Sequence, residues 1–167
     1  MRSFTATGLT AFLGAALLIG GCGDSGSAGG SGSGTRGVVA SAADCVSFGP
    51  GAVEACAGAI ERAVNSHEGS TTTYSDVQAC EDVVGQGGCE RSASGKYRPR
   101  LSAFMVTLGS KASAEPLYPT NDGTIGFLTA SKAMLPASDR SLGFSRLALS
   151  VAELQAGSEK KKRTSRF

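Results

Sequence analysis

The chain has 167 residues, 24 of them glycine and none tryptophan, with a hydrophobic fraction of 41% and a formal net charge of +2. That length carries one small domain with tails, and so small a net charge gives no global field of the kind that gathers nucleic acid. Charge is divided along the chain, however: residues 38–90 hold eight acids against Arg62 alone, net −7, while residues 91–167 hold thirteen Lys/Arg against five acids, net +8. Opposite charges on one short chain find each other first, so the halves are expected to dock within one fold rather than serve two partners.

Met1 to Gly21 begins with Arg2 as a minimal basic start, and its strongest apolar part is Leu9 to Ile19. Such a run is short for a membrane span and suits the core of a signal peptide. It ends Leu18-Ile19-Gly20-Gly21-Cys22, an apolar residue, two glycines and a cysteine, which is similar to the lipobox of bacterial lipoproteins. Small residues let a peptidase reach the bond before Cys22, whose thiol then takes the lipid. Gly23 rather than Asp follows Cys22, so the simplest inner-membrane retention signal is missing and the outer membrane is slightly favoured. Residues 23–37 read GDSGSAGGSGSGTRG, with seven glycines and no apolar side chain larger than Ala28. This stretch cannot recover its ordering entropy by burial and is expected to be a flexible linker, spanning roughly 20 Å as a random coil.

Cys45, Cys56, Cys80 and Cys89 follow, separated by ten, twenty-three and eight residues. With Cys22 assigned to lipid, an even set of four remains, and in an oxidising envelope such a set reads as a disulfide framework. Four cysteines allow three pairings. A weak internal repeat favours Cys45–Cys56 with Cys80–Cys89: Val39 and Tyr74 each lie six residues before the first cysteine of a pair, and Ser41 and Asp76 lie four before it, where each can cap a helix. Two such short loops contribute about 3 kcal/mol each in the chain-entropy model. Structural zinc prefers closer pairs, and no CxxC is present, so no metal or redox centre is expected and no cofactor is assigned.

Gly49-Pro50-Gly51 marks a turn, after which Val53, Cys56, Ala57, Ile60, Ala63 and Val64 recur at helical spacing. A helix is expected over residues 52–66, broken by His67-Glu68-Gly69 and a threonine run. His67, the one histidine, lies in that polar break and is expected to be a solvated surface residue. Ser75 to Gln78 fits a capping box, predicting a second, shorter helix to about Val84, with Gly85, Gly87 and Gly88 turning the chain toward Cys89. Asp76, Glu81 and Asp82 lie close together, but a helix cap and a solvated face account for them better than acid–base catalysis.

Leu101 to Leu108 is a short buried element that either strand or helix would satisfy. Tyr118 to Leu128 reads as a hairpin around Asp122-Gly123, and Pro116 and Pro119 mark its first strand as an edge. Leu147 to Leu154 suits a third strand or a last helical turn. Residues 151–167 form a basic tail expected to be disordered, in which Lys160, Lys161, Lys162 and Arg163 would suit contact with anionic headgroups or wall polymer. Phosphate-binding glycine loops, GxSxG and HExxH are all absent from the sequence, and no catalytic residue is assigned. The expected fold class is α+β: a disulfide-stabilised domain over residues 38–150 with two N-terminal helices and a short β-hairpin region, flanked by the linker and the tail.

The cysteine spacing, with Ala43-Asp44-Cys45, the alanine-rich helix through Ala63, Tyr74 before Cys80 and Gly85 before Cys89, resembles the YgiB-like family of bacterial lipoproteins, a domain of unknown function. Tyr97-Arg98-Pro99, Phe104-Met105-Val106 and Pro116-Leu117-Tyr118-Pro119 are similar in order and character, so the resemblance covers about residues 39 to 130. It implies an accessory role at the bacterial envelope and supplies no catalytic residues. Genes of that family often neighbour an ATP-grasp protein resembling glutathionylspermidine synthases, which implies a redox or enzyme-accessory role as the alternative. The partners expected are a membrane, through the lipid on Cys22, and an envelope protein, with no nucleic acid.

Replacing Cys22 by Ser should leave the precursor unlipidated. Metabolic labelling with a fatty acid, with and without a globomycin-type inhibitor of lipoprotein processing, checks this, and a precursor whose size the inhibitor does not change would refute the lipobox.

Overall fold

Val38 and Val39 are adjacent and both fully buried, at 0% and 1% exposure. Successive side chains of a strand point to opposite faces, so the strand that carries them has to be covered on both sides. The computed structural model, which describes residues 35–164, shows how. Strand β1 (Thr35–Val39) lies within a six-stranded sheet with β4 (Ala103–Leu108), β5 (Ser113–Pro119), β6 (Gly126–Leu128), β7 (Met134–Pro136) and β8 (Gly143–Phe144). The spatial order is β7-β6-β5-β4-β1-β8, antiparallel throughout except for the parallel β1–β8 pair.

One face is covered by α1 (Val53–Ser70) and a 3-10 segment, Ala42–Phe48, that precedes it. Val39, Phe104 and Val106 project to this side and pack with Cys45, Cys56, Ile60 and Ala63. The other face is covered by α3 (Arg146–Thr164), which lays Ala148 and Ala152 on Val38, Ala103, Leu117 and Phe127. Alanine at that spacing lets the helix approach the sheet closely. Ser145 caps α3, its hydroxyl accepting from Ala148 N–H at 3.0 Å. The same hydroxyl donates to the Asp44 carboxylate, which also accepts from Ala40 N–H at 3.1 Å. One carboxylate thus ties the end of β1, the 3-10 segment and the start of α3 together. Gly37 of β1 lets β8 and Phe48 approach closely: a Cβ there would sit 2.8 Å from Gly143 O and 2.9 Å from the Phe48 ring.

A smaller unit completes the domain. Helix α2 (Val77–Val84) is followed by a two-stranded hairpin, β2 (Cys89–Arg91) with β3 (Tyr97–Pro99), and Tyr74 bridges to Tyr97. Disulfides join Cys45 to Cys56 and Cys80 to Cys89. The first links the 3-10 segment to α1, and the second links α2 to its own return strand.

The α+β class holds, but its distribution differs from the expected one. Thr35, Arg36 and Gly37 belong to β1 and not to a flexible linker, because β4 and β8 supply backbone partners that composition does not reveal. Helix α1 continues past residue 66 to Ser70, because its buried face extends to His67. Asp76 caps α2 as its spacing before Cys80 suggests, accepting from Ala79 N–H at 2.9 Å, whereas the capping box from Ser75 is not formed and Ser41 makes no side-chain cap bond. The hairpin is two strands of a larger sheet, and β5 is no edge. Its neighbours cover successive parts of it, β4 along Ser113–Leu117 and β6 at Tyr118 and Pro119, so each proline has a strand on one side alone. Leu147–Leu154 is neither strand nor last turn. It lies within a 19-residue helix, and residues 151–164 are helical instead of a disordered tail. The expected signal peptide, the linker up to residue 34 and Cys22 lie outside the described residues.

Removing the Cys45–Cys56 bridge with paired alanines should cost about 3 kcal/mol in chain entropy, and more through the packing its two fully buried sulfurs lose. Loss of Cys80–Cys89, with Cys89 half-buried at the margin, should cost less. Urea denaturation midpoints of the two variants give the order, and a larger drop for the second pair would contradict this account.

Candidate functional site

Cys56, Ile60, Ala63 and His67 form one buried stripe along α1, spaced four, three and four residues apart. His67 is therefore the last inward-facing residue of that helix, and it is 4% exposed. The expectation that it is solvated is wrong, because the helix does not break at residue 67. Its ring meets β5 on the α1-facing side of the sheet, where Tyr118 lies with the ring centroids 5.8 Å apart.

The hydrogen bonds fix the protonation of the pair. His67 Nε2 lies 3.2 Å from Pro99 O, and a carbonyl oxygen accepts, so Nε2 carries the proton. His67 Nδ1 lies 3.1 Å from Tyr118 Oη and accepts the phenol proton. Burial pushes the imidazole below its ordinary pKa, the positive charge of Arg98 pushes the same way, and the Pro99 carbonyl with Glu90 and Glu68 opposes them. Burial likewise raises the Tyr118 phenol, opposed by a hydrogen bond from the Thr71 side chain. Both groups are neutral at physiological pH. Arg98 stands nearby with its Nε 2.9 Å from Glu90 and an Nη nitrogen 3.3 Å from Glu68, so one guanidinium moors the β2–β3 hairpin to the last turn of α1.

Tyr118, Pro99 and Thr71 form one wall of a cleft of about 310 Å³. Tyr74 lines it as well, and Val83 and Val84 of α2 form the opposite side. Asn121 and the turn from Thr129 to Lys132 close the rim. The rim is held in unusual backbone. Lys132 adopts φ 64°, a left-handed conformation that costs a non-glycine residue about 1–3 kcal/mol. Its Nζ donates to Val83 O at 3.3 Å, across the cleft. Gly85, at φ 95°, ends α2 so close to Asn121 that a Cβ would fall 2.5 Å from that side chain's Cβ.

The residues singled out from the sequence lie elsewhere. Cys45, Cys56 and Cys80 are fully buried, and none of the four cysteines lines the cleft. Asp76 caps α2, Glu81 accepts from Gly87 N–H at 2.7 Å, and Asp82 accepts from Gln78 at 2.7 Å, so each acid has a local structural bond. Lys161 is exposed on α3, while the side chains of Lys160, Lys162 and Arg163 lie outside the described residues. Among the described residues no group of three His, Cys, Asp or Glu could hold a metal ion, and no helix is long and apolar enough to cross a membrane. The His67–Tyr118 pair and the cleft were missed. The available signal was the stripe itself, since residue 67 follows Ile60 and Ala63 at seven and four.

The family model described as "Protein of unknown function (DUF1190)" matches residues 34–166. No curated protein and no solved structure matches the chain.

The lowered pKa of His67 gives a signed prediction. Below the ordinary imidazole value the unfolded chain binds a proton that the folded chain refuses, so stability rises with pH across that window. The contribution is complete above about pH 6.5, is lost as pH falls toward the folded value, and changes no further below it. His67→Gln should flatten this part of the pH profile of urea stability. An unchanged slope between pH 5 and 7 in the variant would show that His67 is not its source.

Proposed function

The chain belongs to the DUF1190 family, and on that premise we propose that it is a non-enzymatic binding module, held at the bacterial envelope by lipid on Cys22, that receives its partner or ligand in the cleft between α2 and the β5–β6 loop. The observation that carries this reading is the cleft itself: a concave site with a few convergent polar groups, one of them the perturbed phenol of Tyr118, which is backed by the buried His67.

The chemistry of Tyr118 and of His67 behind it favours binding over catalysis. His67 has both ring nitrogens engaged, one donating to Pro99 O and one accepting from Tyr118, so it offers no free base to a substrate. Tyr118 is held neutral by burial, which makes its oxygen an acceptor and not a nucleophile. The burial of Cys45, Cys56 and Cys80 supports structural cross-links over a redox role alongside an ATP-grasp enzyme. The lipobox at Cys22 and the Gly/Ser segment after it support a tethered module facing the periplasm or exterior, with the outer membrane favoured.

Site-specific photocrosslinking in envelopes of cells making the full chain tests this. A benzophenone side chain at Val83, which is exposed at the cleft wall, should give a light-dependent adduct. The same group at Glu54, on the exposed face of α1, should not. Equal adducts from both positions, or none from Val83, would overturn the assignment.

A further inference from the structure

The imidazole of His67 stands behind the cleft, and a row of hydrogen bonds leads from it to the cleft surface. Nε2–H donates to Pro99 O at 3.2 Å, so Nδ1 holds a lone pair and takes the Tyr118 phenol proton at 3.1 Å. With its proton committed to Nδ1, Tyr118 meets the Thr71 side chain only as an acceptor, so the Thr71 hydroxyl donates to it. Thr71 is held there by the same helix end, its N–H donating to His67 O at 3.0 Å. Tyr118 and Thr71 both line the cleft, whereas His67 is 4% exposed and does not. Every proton in the row therefore points inward, and the hydroxyls of Thr71 and Tyr118 have only lone pairs left for the cleft.

Protonation of His67 reverses this row without breaking it. An imidazolium donates from both nitrogens. Nε2–H keeps Pro99 O, and Nδ1–H then donates to Tyr118 Oη in a charge-assisted bond. The displaced phenol proton turns to Thr71 Oγ1, which releases its own proton to the cleft, or it turns to the cleft directly. Either way one hydroxyl proton stands on the wall where neutral His67 leaves an acceptor. The charged groups acting on the row are Glu68 on α1 itself, Glu90 on β2 and Arg98 on β3, with Glu115 of β5 acting on the Tyr118 phenol. Burial disfavours the imidazolium most, Arg98 opposes it as well, and the two carboxylates favour it, so the reversal belongs below the ordinary imidazole value of 6.5.

Given that the cleft is the binding site, we infer that His67 is a proton-operated positioning residue for it: neutral, it holds Thr71 and Tyr118 as acceptors for a ligand N–H or O–H, and protonated, it turns a donor against that same group. A donor that faces a donor leaves both unpaired, so acid weakens the complex. The cleft thus selects its ligand by hydrogen-bond polarity and releases it on acidification. The wall itself stays assembled, because the imidazole joins Pro99 to Tyr118 in either state. His67 never touches the ligand and acts only through the two hydroxyls in front of it.

His67 is the one histidine of the chain, so isotope labelling of histidine nitrogen in the purified full chain gives a single pair of ring signals by NMR. Their shifts should show the Nε2–H tautomer at neutral pH and a doubly protonated ring in acid. One transition below about pH 6.5 should separate the two, while the amide spectrum stays that of the folded chain. Tyr118→Phe should move the transition to lower pH, because the imidazolium loses its acceptor. An Nδ1–H tautomer, a transition that coincides with unfolding, or a midpoint that Tyr118→Phe leaves unmoved or raises would overturn the relay. Binding is read by the benzophenone at Val83, in envelopes of cells making the full chain held well above and well below that midpoint. The adduct should fall about tenfold in acid, and His67→Gln should make its yield independent of pH. An adduct that acid leaves unchanged or increases, or one that falls equally in His67→Gln, would overturn the control by His67 and leave the cleft standing. No adduct at either pH would remove the cleft and the control together. The tautomer is read on the unaltered chain, so the test survives a variant that fails to fold.

Discussion

The Cys45–Cys56 bridge lies inside the apolar layer between α1 and the sheet, and the wall of the cleft takes its geometry from it. Both sulfurs are fully buried among Val39, Ile60, Phe104 and Val106, so the cross-link is also a core residue pair. It fixes the first turn of α1 against the 3-10 segment. From Cys56 the helix has eleven residues to run before His67, which is three turns and about 16 Å. Three turns return the side chain to the same face, so the constraint that sets Cys56 on the sheet also delivers His67 to Tyr118. With His67 in place, Pro99 and Tyr118 are joined through one imidazole, and the wall of the cleft is complete.

The division of charge along the chain plays a smaller part in assembly than its size suggests. The ion pairs that cross between the acidic and basic stretches centre on Arg98, which meets Glu68 and Glu90. Pairs with this much exposure contribute roughly 0–1 kcal/mol each. What joins the halves is the sheet. Strand β1 precedes every acid of the acidic stretch, yet its partners are β4 and β8 from the basic one. The apolar faces of that interleaved sheet then bury α1 on one side and α3 on the other. Arg98 has a more specific effect, since its charge helps keep His67 neutral beside it.

Local signals were legible where local physics decides. The turn at Gly49-Pro50-Gly51, the helical period from Val53 to Val64 and the glycines after Val84 describe elements that need no distant partner to be recognised. The strands were less legible. Thr35-Arg36-Gly37 carries no apolar pattern, and it becomes strand because β4 and β8 offer hydrogen bonds from residues far along the chain. The Ala-rich face of α3 was hidden for a related reason. Ala148, Ala152 and Ala156 are fully or nearly fully buried, but alanine carries little hydrophobic weight and the helix also exposes Leu147 and Leu154. The pattern therefore read as indistinct. His67 is hard to place from sequence because a polar residue reads as the end of a buried stripe, whereas one satisfied by Pro99 O and Tyr118 continues it. The cleft itself joins residues from α2, β3, β5 and the turn at Thr129–Lys132, and no spacing within a single element records that convergence.

The rim of the cleft is held in a fixed shape by several independent constraints. Helix α2 has eight residues, too short to hold its own conformation in water, and it is fixed from several directions. The Cys80–Cys89 bridge ties it to β2, Asp76 caps its start, and Gly85 ends it against Asn121. Lys132 reaches from the facing turn to Val83 O, and the left-handed backbone at Lys132 persists because Thr129 closes that turn with bonds to Lys132 and Ala133. Each of these constraints restricts motion of the walls before any ligand arrives. A preformed cleft loses little conformational freedom on binding, so a modest set of contacts can yield useful affinity.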